Sequence, residues 1–327
     1  MHTLICGSLA FDTIMVFQDQ FKNHILPDKI HCLSVAFYVP EMRREFGGTA
    51  GNIAYNLQLL EGKPLIMATV GEDFSTYANW LNKNNLNTSH VKKIDQHFTA
   101  QAFITTDLDD NQITAFHPGA MVESHQNSVL DIENVAANVS LAIIAPDGRD
   151  GMFQHARECF EAGIPFLFDP GQGLPMFNGE ELLHFIEMAT YLAVNDYEAQ
   201  VLQDKTGLNL EQLAAKVTAL IVTLGGLGSH IYADGQRYEI PCVKADKIVD
   251  PTGCGDAYRA GLLYAIAHKW DWPTCGKLAS TMGAIKIASR GGQNHTPTRA
   301  EIEHVYSHAL VDQINAQQVK LEENLAH

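Results

Sequence analysis

The feature that most restricts the fold of this chain is a repeated alternation. Short, mainly apolar runs end on glycine or small polar residues, and most are followed by a helical pattern. Leu4-Ile5-Cys6 runs into Gly7-Ser8, and Leu65 to Val70 runs into Gly71-Glu72-Asp73. Leu141 to Ala145 ends at Pro146-Asp147-Gly148, and Phe166-Leu167-Phe168 ends at Asp169-Pro170-Gly171. Tyr191 to Val194 ends at Asn195-Asp196, and Leu220 to Leu224 at Gly225-Gly226. Runs this apolar, with no inside/outside alternation, suit strands buried on both faces, so the pattern predicts an α/β fold: a mostly parallel central sheet between helical layers. Ligands in such folds bind beyond the carboxyl ends of the strands, where these Asp, Asn and Gly residues fall.

Two stretches interrupt the rhythm, about 14–46 and 99–121. Both read as alternating strands with turn signals such as Thr106-Asp107-Leu108-Asp109-Asp110-Asn111. They predict one small antiparallel β subdomain, discontinuous in sequence and suited to a lid over a cleft. With no low-complexity linker and no repeat, 1–327 reads as a single domain carrying that lid. The polar, Gln/Glu-rich stretch from His308 reads as a surface helix.

Charge narrows the partners. The 38 Asp+Glu outnumber the 22 Lys+Arg and give a net charge of −16. Polyanion affinity rests mostly on Lys and Arg, so nucleic acid and anionic membrane are excluded as general partners. Any anion bound here must be held by local arrangement. The six cysteines have no C-x-x-C or zinc-site spacing, which with the absence of a signal-like or spanning apolar stretch predicts a cytoplasmic protein with reduced thiols.

Two glycine clusters carry the chemistry. Phe46-Gly47-Gly48-Thr49-Ala50-Gly51-Asn52 opens a helix with apolar positions Ala50, Ile53, Ala54, Leu57 and Leu60. Its glycines permit close approach of a ligand or second domain, and Asn52 can bond a hydroxylated substrate. A plain tight turn into a helix explains the same residues. Asp250-Pro251-Thr252-Gly253-Cys254-Gly255-Asp256 is more specific. Small residues at Gly253, Cys254 and Gly255 leave backbone N–H groups free to converge on phosphate at a helix N-terminus. Asp256 would repel phosphate, so its chemical task is to take a proton from an attacking hydroxyl; its plain alternative is a helix N-cap. The cluster is neither a Walker A loop nor a dinucleotide fingerprint.

Together the clusters resemble the signatures of the ribokinase-like (PfkB-type) carbohydrate and nucleoside kinases, over nearly the whole chain. The anchor is DPTGCGD with Ala257-Tyr258-Arg259-Ala260-Gly261 behind it. The resemblance implies a three-layer α/β/α kinase that uses ATP and Mg²⁺. Asp256 would be the general base, with the Gly253, Cys254 and Gly255 amides as anion hole. Asp12, in Gly7-Ser8-Leu9-Ala10-Phe11-Asp12, would accept two sugar hydroxyls, with Gly48 and Asn52 at sugar-contacting positions and Gly47-Gly48 as hinge. Asn195 and Glu198 would organise Mg²⁺ through water. Thr223, Gly225, Gly226 and Gly228 would lie beneath the nucleotide. Asp147 and Asp169 read as polar support near the phosphates or as helix caps. A monovalent cation such as K⁺, held by backbone oxygens near the catalytic loop, and a homodimer through the lid also follow from the resemblance.

For the acceptor, Thr49 stands where ribokinases carry a lysine, in GGKGAN. The lid set Phe103, Ile113, Phe116, His117, Pro118 and Met121 offers aromatic and thioether surface for a nucleobase, or else forms the lid's own core. The runs Gln112–Met121 and Phe168–Met176 look like the bacterial adenosine/nucleoside kinase branch. The expectation is 5′-phosphorylation of a ribonucleoside, adenosine or a related purine nucleoside, with Thr49, Phe116 and Met121 near the substrate. The alternatives are a ribokinase- or fructokinase-like sugar kinase and a non-catalytic nucleoside sensor.

Overall fold

The computed structural model describes residues 1–25, 35–109 and 111–309. Part of the 14–46 stretch, Cys32, Asp110 of the predicted turn and most of the stretch from His308 lie outside the described residues. The strands are β1 (His2–Cys6), β2 (Ala10–Val16), β3 (Glu41–Gly47), β4 (Pro64–Val70), β5 (Asn87–Lys93), β6 (Ala100–Thr106), β7 (Gln112–His117), β8 (Val139–Ile144), β9 (Phe166–Phe168), β10 (Tyr191–Asn195), β11 (Ala219–Thr223), β12 (Ser229–Ala233) and β13 (Gln236–Ile240).

Among the described residues, nine strands form the main sheet in the order β13-β12-β11-β10-β9-β8-β1-β4-β5. Every pairing from β5 to β11 is parallel, and the β12–β13 hairpin closes one edge antiparallel. The continuous apolar runs serve two cores at once. Ile5, Ile66, Ile143, Leu167 and Ile221 face one core, shared with the helices Thr49–Leu59, Cys254–Ala267 and Trp272–Ile287. Leu4, Cys6, Ala142, Ile144, Phe166, Phe168 and Val222 face the other, under Arg149–Glu161 and Gly179–Met188. This is the three-layer α/β/α arrangement of the ribokinase-like fold. β1 lies between β4 and β8, so the chain leaves it first in one direction and later in the other. The carboxyl ends around β1 and β8 therefore form the crevice where such sheets bind ligands.

The interrupting segments contribute a second, four-stranded sheet, ordered β3-β2-β6-β7. It begins at Ala10, earlier than the stretch read from sequence, so Asp12 belongs to it. It is also not wholly antiparallel, because β2 pairs parallel with β6. Those strands are separated by β3–β5 and two helices, a connection long enough for a parallel pairing. Register sorts its faces. Asp12, Glu45, Ala102 and Phe116 lie side by side on one face. Thr13, Arg44, Phe103 and Ala115 share the other, with Met15, Met42, Thr105 and Ile113 in the next row. Phe103 and Ile113 are thus on the face opposite Asp12 and do not join Phe116.

Candidate active site

Asp256 sits in the first turn of the helix Cys254–Ala267, whose N-cap Gly253 has φ +76°, a left-handed conformation that favours glycine. A side chain at position 255 would meet open space, so the loop presents bare backbone there. The Cys254 N–H instead donates to Pro251 O within the turn (3.1 Å). Of the three amides expected to converge on an anion, Cys254's is therefore engaged, and the neighbouring glycines carry the opening. Its thiol is pushed up to about 11, mainly by burial, which makes it a poor nucleophile at neutral pH. Asp250 holds the loop in shape, accepting from the N–H of Thr252 (2.9 Å) and of Gly291 (2.8 Å).

Burial pushes the Asp256 carboxyl up to about 7, and the charges of Asp169 and Asp12 add to the rise. Asn52 opposes it by donating from Nδ2 to Asp256 Oδ2 (2.8 Å). Asn52 is itself pinned: its Oδ1 accepts from Gln293 Nε2 (3.1 Å). Gln293 Nε2 also donates to the Tyr77 hydroxyl (2.6 Å), and Gln293 Oε1 accepts from Trp80 Nε1 (3.0 Å). Tyr77 in turn donates to Gly47 O (2.8 Å). A buried relay thus runs from Asp256 to Gly47, where the second sheet joins the main body. Asn52, read as a substrate contact, is in this structure the residue that orients Asp256.

Gly47 and Gly48 are required for different reasons. A Cβ at Gly47 would lie 2.5 Å from the Asp12 carboxylate. Gly48 has φ +85°, and a Cβ there would meet Ser8 O at 2.5 Å. Thr49 also departs from the substrate role: it is buried, and its Oγ1 donates to Pro146 O (3.0 Å) and accepts from the Ser8 N–H (3.3 Å). It ties the helix start to the segments after β1 and β8. Asp12 lies on the sheet face beside Glu45. Burial first, and then the charges of Glu45 and Asp250, push its carboxyl up to about 6. Its neighbour Glu45 accepts from Asn294 Nδ2 (2.6 Å), which ties this face to the segment after Gly291-Gly292. Phe116 shares this face and is half exposed, whereas Met121 lies beyond the sheet in the turn Gly119–Gln126, its carbonyl against Gly148.

Asn195 and Glu198 form a capping box on the helix Asp196–Thr206. Asn195 Oδ1 accepts from Glu198 N–H (2.7 Å), and Glu198 Oε2 from Asn195 N–H (2.8 Å). One Glu198 oxygen and the Asn195 amide group remain for other contacts. Asp169 does not face phosphate as an open carboxylate, because the buried Arg259 donates to both of its oxygens (3.0 and 3.3 Å). Asp147 accepts from Gly148 N–H (2.9 Å), and burial pushes it up to about 8. Thr223 ends β11, and its hydroxyl donates to Val194 O (3.4 Å). Beyond it, Gly225 and Gly226 form an open shelf, while Gly228, at φ +96°, backs onto Ile240 O.

Among the described residues no three His, Cys, Asp or Glu side chains gather as a metal cage. The free Glu198 oxygen and Asn195 suit an ion that keeps its waters and arrives on a polyphosphate, which is how Mg²⁺ behaves. Arg259 and Gln293 were assigned no role from sequence. Arg259 lies inside the anchor motif, one turn after Asp256, and Gln293 follows a third glycine pair, Gly291-Gly292, which could have drawn attention to it. Among the described residues no helix is long and apolar enough to cross a membrane, and Cys6, Cys159, Cys242, Cys254 and Cys275 are free thiols.

The chain is similar to known proteins over most of its length. The pfkB family of carbohydrate kinases matches residues 14–299. The chain is 33% identical to the nucleoside kinase of Methanocaldococcus jannaschii over 267 residues, 81% of this chain and 86% of that one. It is 50% identical to the nucleoside kinase of Burkholderia thailandensis in its complex with inosine, with a TM-score of 0.85 over 94% of this chain and 97% of that one. A second structure of that enzyme, in complex with ADP-inosine, shows 52% identity and a TM-score of 0.83 over 94% and 95% of the two chains. With the family model matched across residues 14–299 and a relative one-third identical over most of both chains, the chain belongs to the pfkB family of carbohydrate kinases, phosphotransferases that act on an alcohol group.

Proposed function

We propose that this protein transfers the γ-phosphoryl group of ATP to the 5′-hydroxyl of a ribonucleoside, with purines such as inosine and adenosine as its acceptors. The observation that carries the reading is Asp256: a carboxylate held near neutral pKa, oriented by Asn52, at a glycine-led helix start. Asp12, across the cleft on the second sheet, accepts the ribose hydroxyls, and Asp256 takes the proton as the 5′-oxygen attacks. The glycine amides meet the developing phosphoryl charge. Glu198 and Asn195 would hold a hydrated Mg²⁺ arriving with the triphosphate, which would supply charge neutralisation there. The Gly225-Gly226 shelf seats the nucleotide. The second sheet acts as a lid hinged at Gly47-Gly48, and its closure excludes water.

A nucleoside rather than a free sugar is favoured by Phe116 on the Asp12 face, by Thr49 in place of the ribokinase lysine, and by a relative of about half-identical sequence that binds inosine. We place the enzyme in the cytoplasm as a purine-recycling kinase, in keeping with its free thiols. The lid's outer face, with Met42 70% and Ile113 44% exposed, supports a homodimer through that face.

An ADP-release assay with adenosine, inosine, cytidine, ribose and fructose tests the acceptor. Turnover is expected on the purine nucleosides, and turnover on free sugars alone would overturn the reading. Asp256→Asn is expected to bind ATP and nucleoside while kcat falls by about 10²–10⁴. Near-normal turnover in that variant removes the general-base role, and nucleoside binding without turnover in the wild type would instead indicate a sensor.

A further inference from the structure

The family resemblance carries a monovalent cation held by backbone oxygens near the catalytic loop, and the structure places a side chain on such oxygens. Lys286 lies near the end of the helix Trp272–Ile287 and is fully buried, at 0% exposure. Its Nζ donates to the carbonyl oxygens of Asp250 (2.7 Å) and Ser289 (3.0 Å). The Asp250 carboxylate points elsewhere, to the N–H groups of Thr252 and Gly291. Lys286 therefore has neutral carbonyl partners and bridges the two segments that frame the helix start, 250–253 and 289–292.

Burying an ammonium among carbonyls is costly unless its charge and donors are used. Here the charge lies under the glycine loop. Burial pulls the Lys286 pKa down, while the charges of Asp250 and Asp256 and the nearby Cys254 oppose that pull. A lysine head is a compact unit charge with three donors, the side chain best able to stand in for a small monovalent ion. A free alkali cation placed on the same carbonyls would meet that charge at close range, which in a buried setting is strongly unfavourable.

We propose that Lys286 is this protein's built-in monovalent cation, a positioning residue whose tethered ammonium holds the Asp250 and Ser289 carbonyls together and sets the catalytic loop without added K⁺. The proposal rests on reading 250–256 as the phosphoryl-transfer loop. The arrangement ties loop geometry to a covalent part of the chain and makes it indifferent to the alkali ion in solution.

The test compares KCl with tetramethylammonium chloride at equal ionic strength, by thermal midpoint and by ADP release. The wild type is expected to show the same midpoint and the same kcat in both salts. A midpoint several degrees higher in KCl, or activation by K⁺, overturns the proposal, and this comparison needs no variant. In Lys286→Met, kcat is expected to fall roughly tenfold or more, the scale of one lost charge-assisted hydrogen bond. Both midpoint and kcat should then recover on adding KCl or NH₄Cl but not the tetramethylammonium salt. Recovery marks a cation site, which a merely structural lysine would not create. A folded Lys286→Met or Lys286→Gln enzyme that matches the wild type without K⁺, or one that no small cation rescues, overturns the proposal. A wild type without turnover on any acceptor counts against the kinase reading alone and leaves the midpoints to judge Lys286.

Discussion

A base that works at neutral pH needs a pKa near that pH, and burial supplies the upward pull on Asp256 that the relay then trims. The Asn52 N–H bond favours the carboxylate, so it lowers a pKa that burial has raised to about 7. For the free enzyme, kcat/KM should therefore rise with pH and level off above about 7. Removing the donor in Asn52→Ala leaves only the Arg259 charge opposing burial, so the acid limb must move to higher pH. The variant should lose most at pH 6 and recover part of its rate at pH 9, measured as kcat/KM across that range. A uniform loss at every pH would mean that Asn52 serves packing and not the charge on Asp256. Sequence singled out Asp256 at a helix start, and that position is where the structure has it. It did not show that Asn52 faces Asp256, since the two are 204 residues apart and only the fold joins them.

At the scale of elements, Asn195-x-x-Glu198 shows why motif and structure divide the same residues differently. Asn and Glu three apart at a strand end suit both a capping box and a hydrated cation, and the sequence cannot separate those uses. The structure assigns one oxygen of each side chain to the cap. Asn195→Ala should cost about 1 kcal/mol of stability through the lost cap. Glu198→Gln, which keeps an oxygen for the cap, should leave the thermal midpoint nearly unchanged while the Mg²⁺ concentration for half-maximal rate rises severalfold. An Mg²⁺ requirement unmoved in Glu198→Gln would confine this pair to helix capping. The buried strands were legible because nearly all their residues are apolar, with Thr69 in β4 and Ser140 in β8 as the polar exceptions. The edge strand β5, Asn-Thr-Ser-His-Val-Lys-Lys, was not, because it is half solvated and its polar residues resemble a loop. The parallel pairing of β2 with β6 was equally hidden, since nothing local distinguishes it from a hairpin.

Across the whole molecule, the surplus of acid residues and the handling of ATP are reconciled by where the positive character lies. In the proposed reading, backbone amides and a helix start supply positive character that a count of charged side chains does not register. The same scale carries the proposal of a lid-to-lid dimer. The register puts Met15, Met42 and Ile113 in one row of the lid's outer face, with Phe103, 40% exposed, in the adjoining row. Apolar residues gathered on an otherwise solvated sheet mark a contact surface. A two-fold interface meets itself, so each substitution on it is doubled. Ile113→Lys near such an axis would bring two ammonium groups together, and like charges across a β contact are destabilising. Sedimentation should show a wild-type dimer and an Ile113→Lys monomer whose far-UV circular dichroism is unchanged. Glu61→Lys, a charge change in the turn after the helix Thr49–Leu59 and away from that sheet, should leave the dimer intact. A wild type that sediments as a monomer at micromolar concentration would instead leave the outer face a solvated surface of the lid.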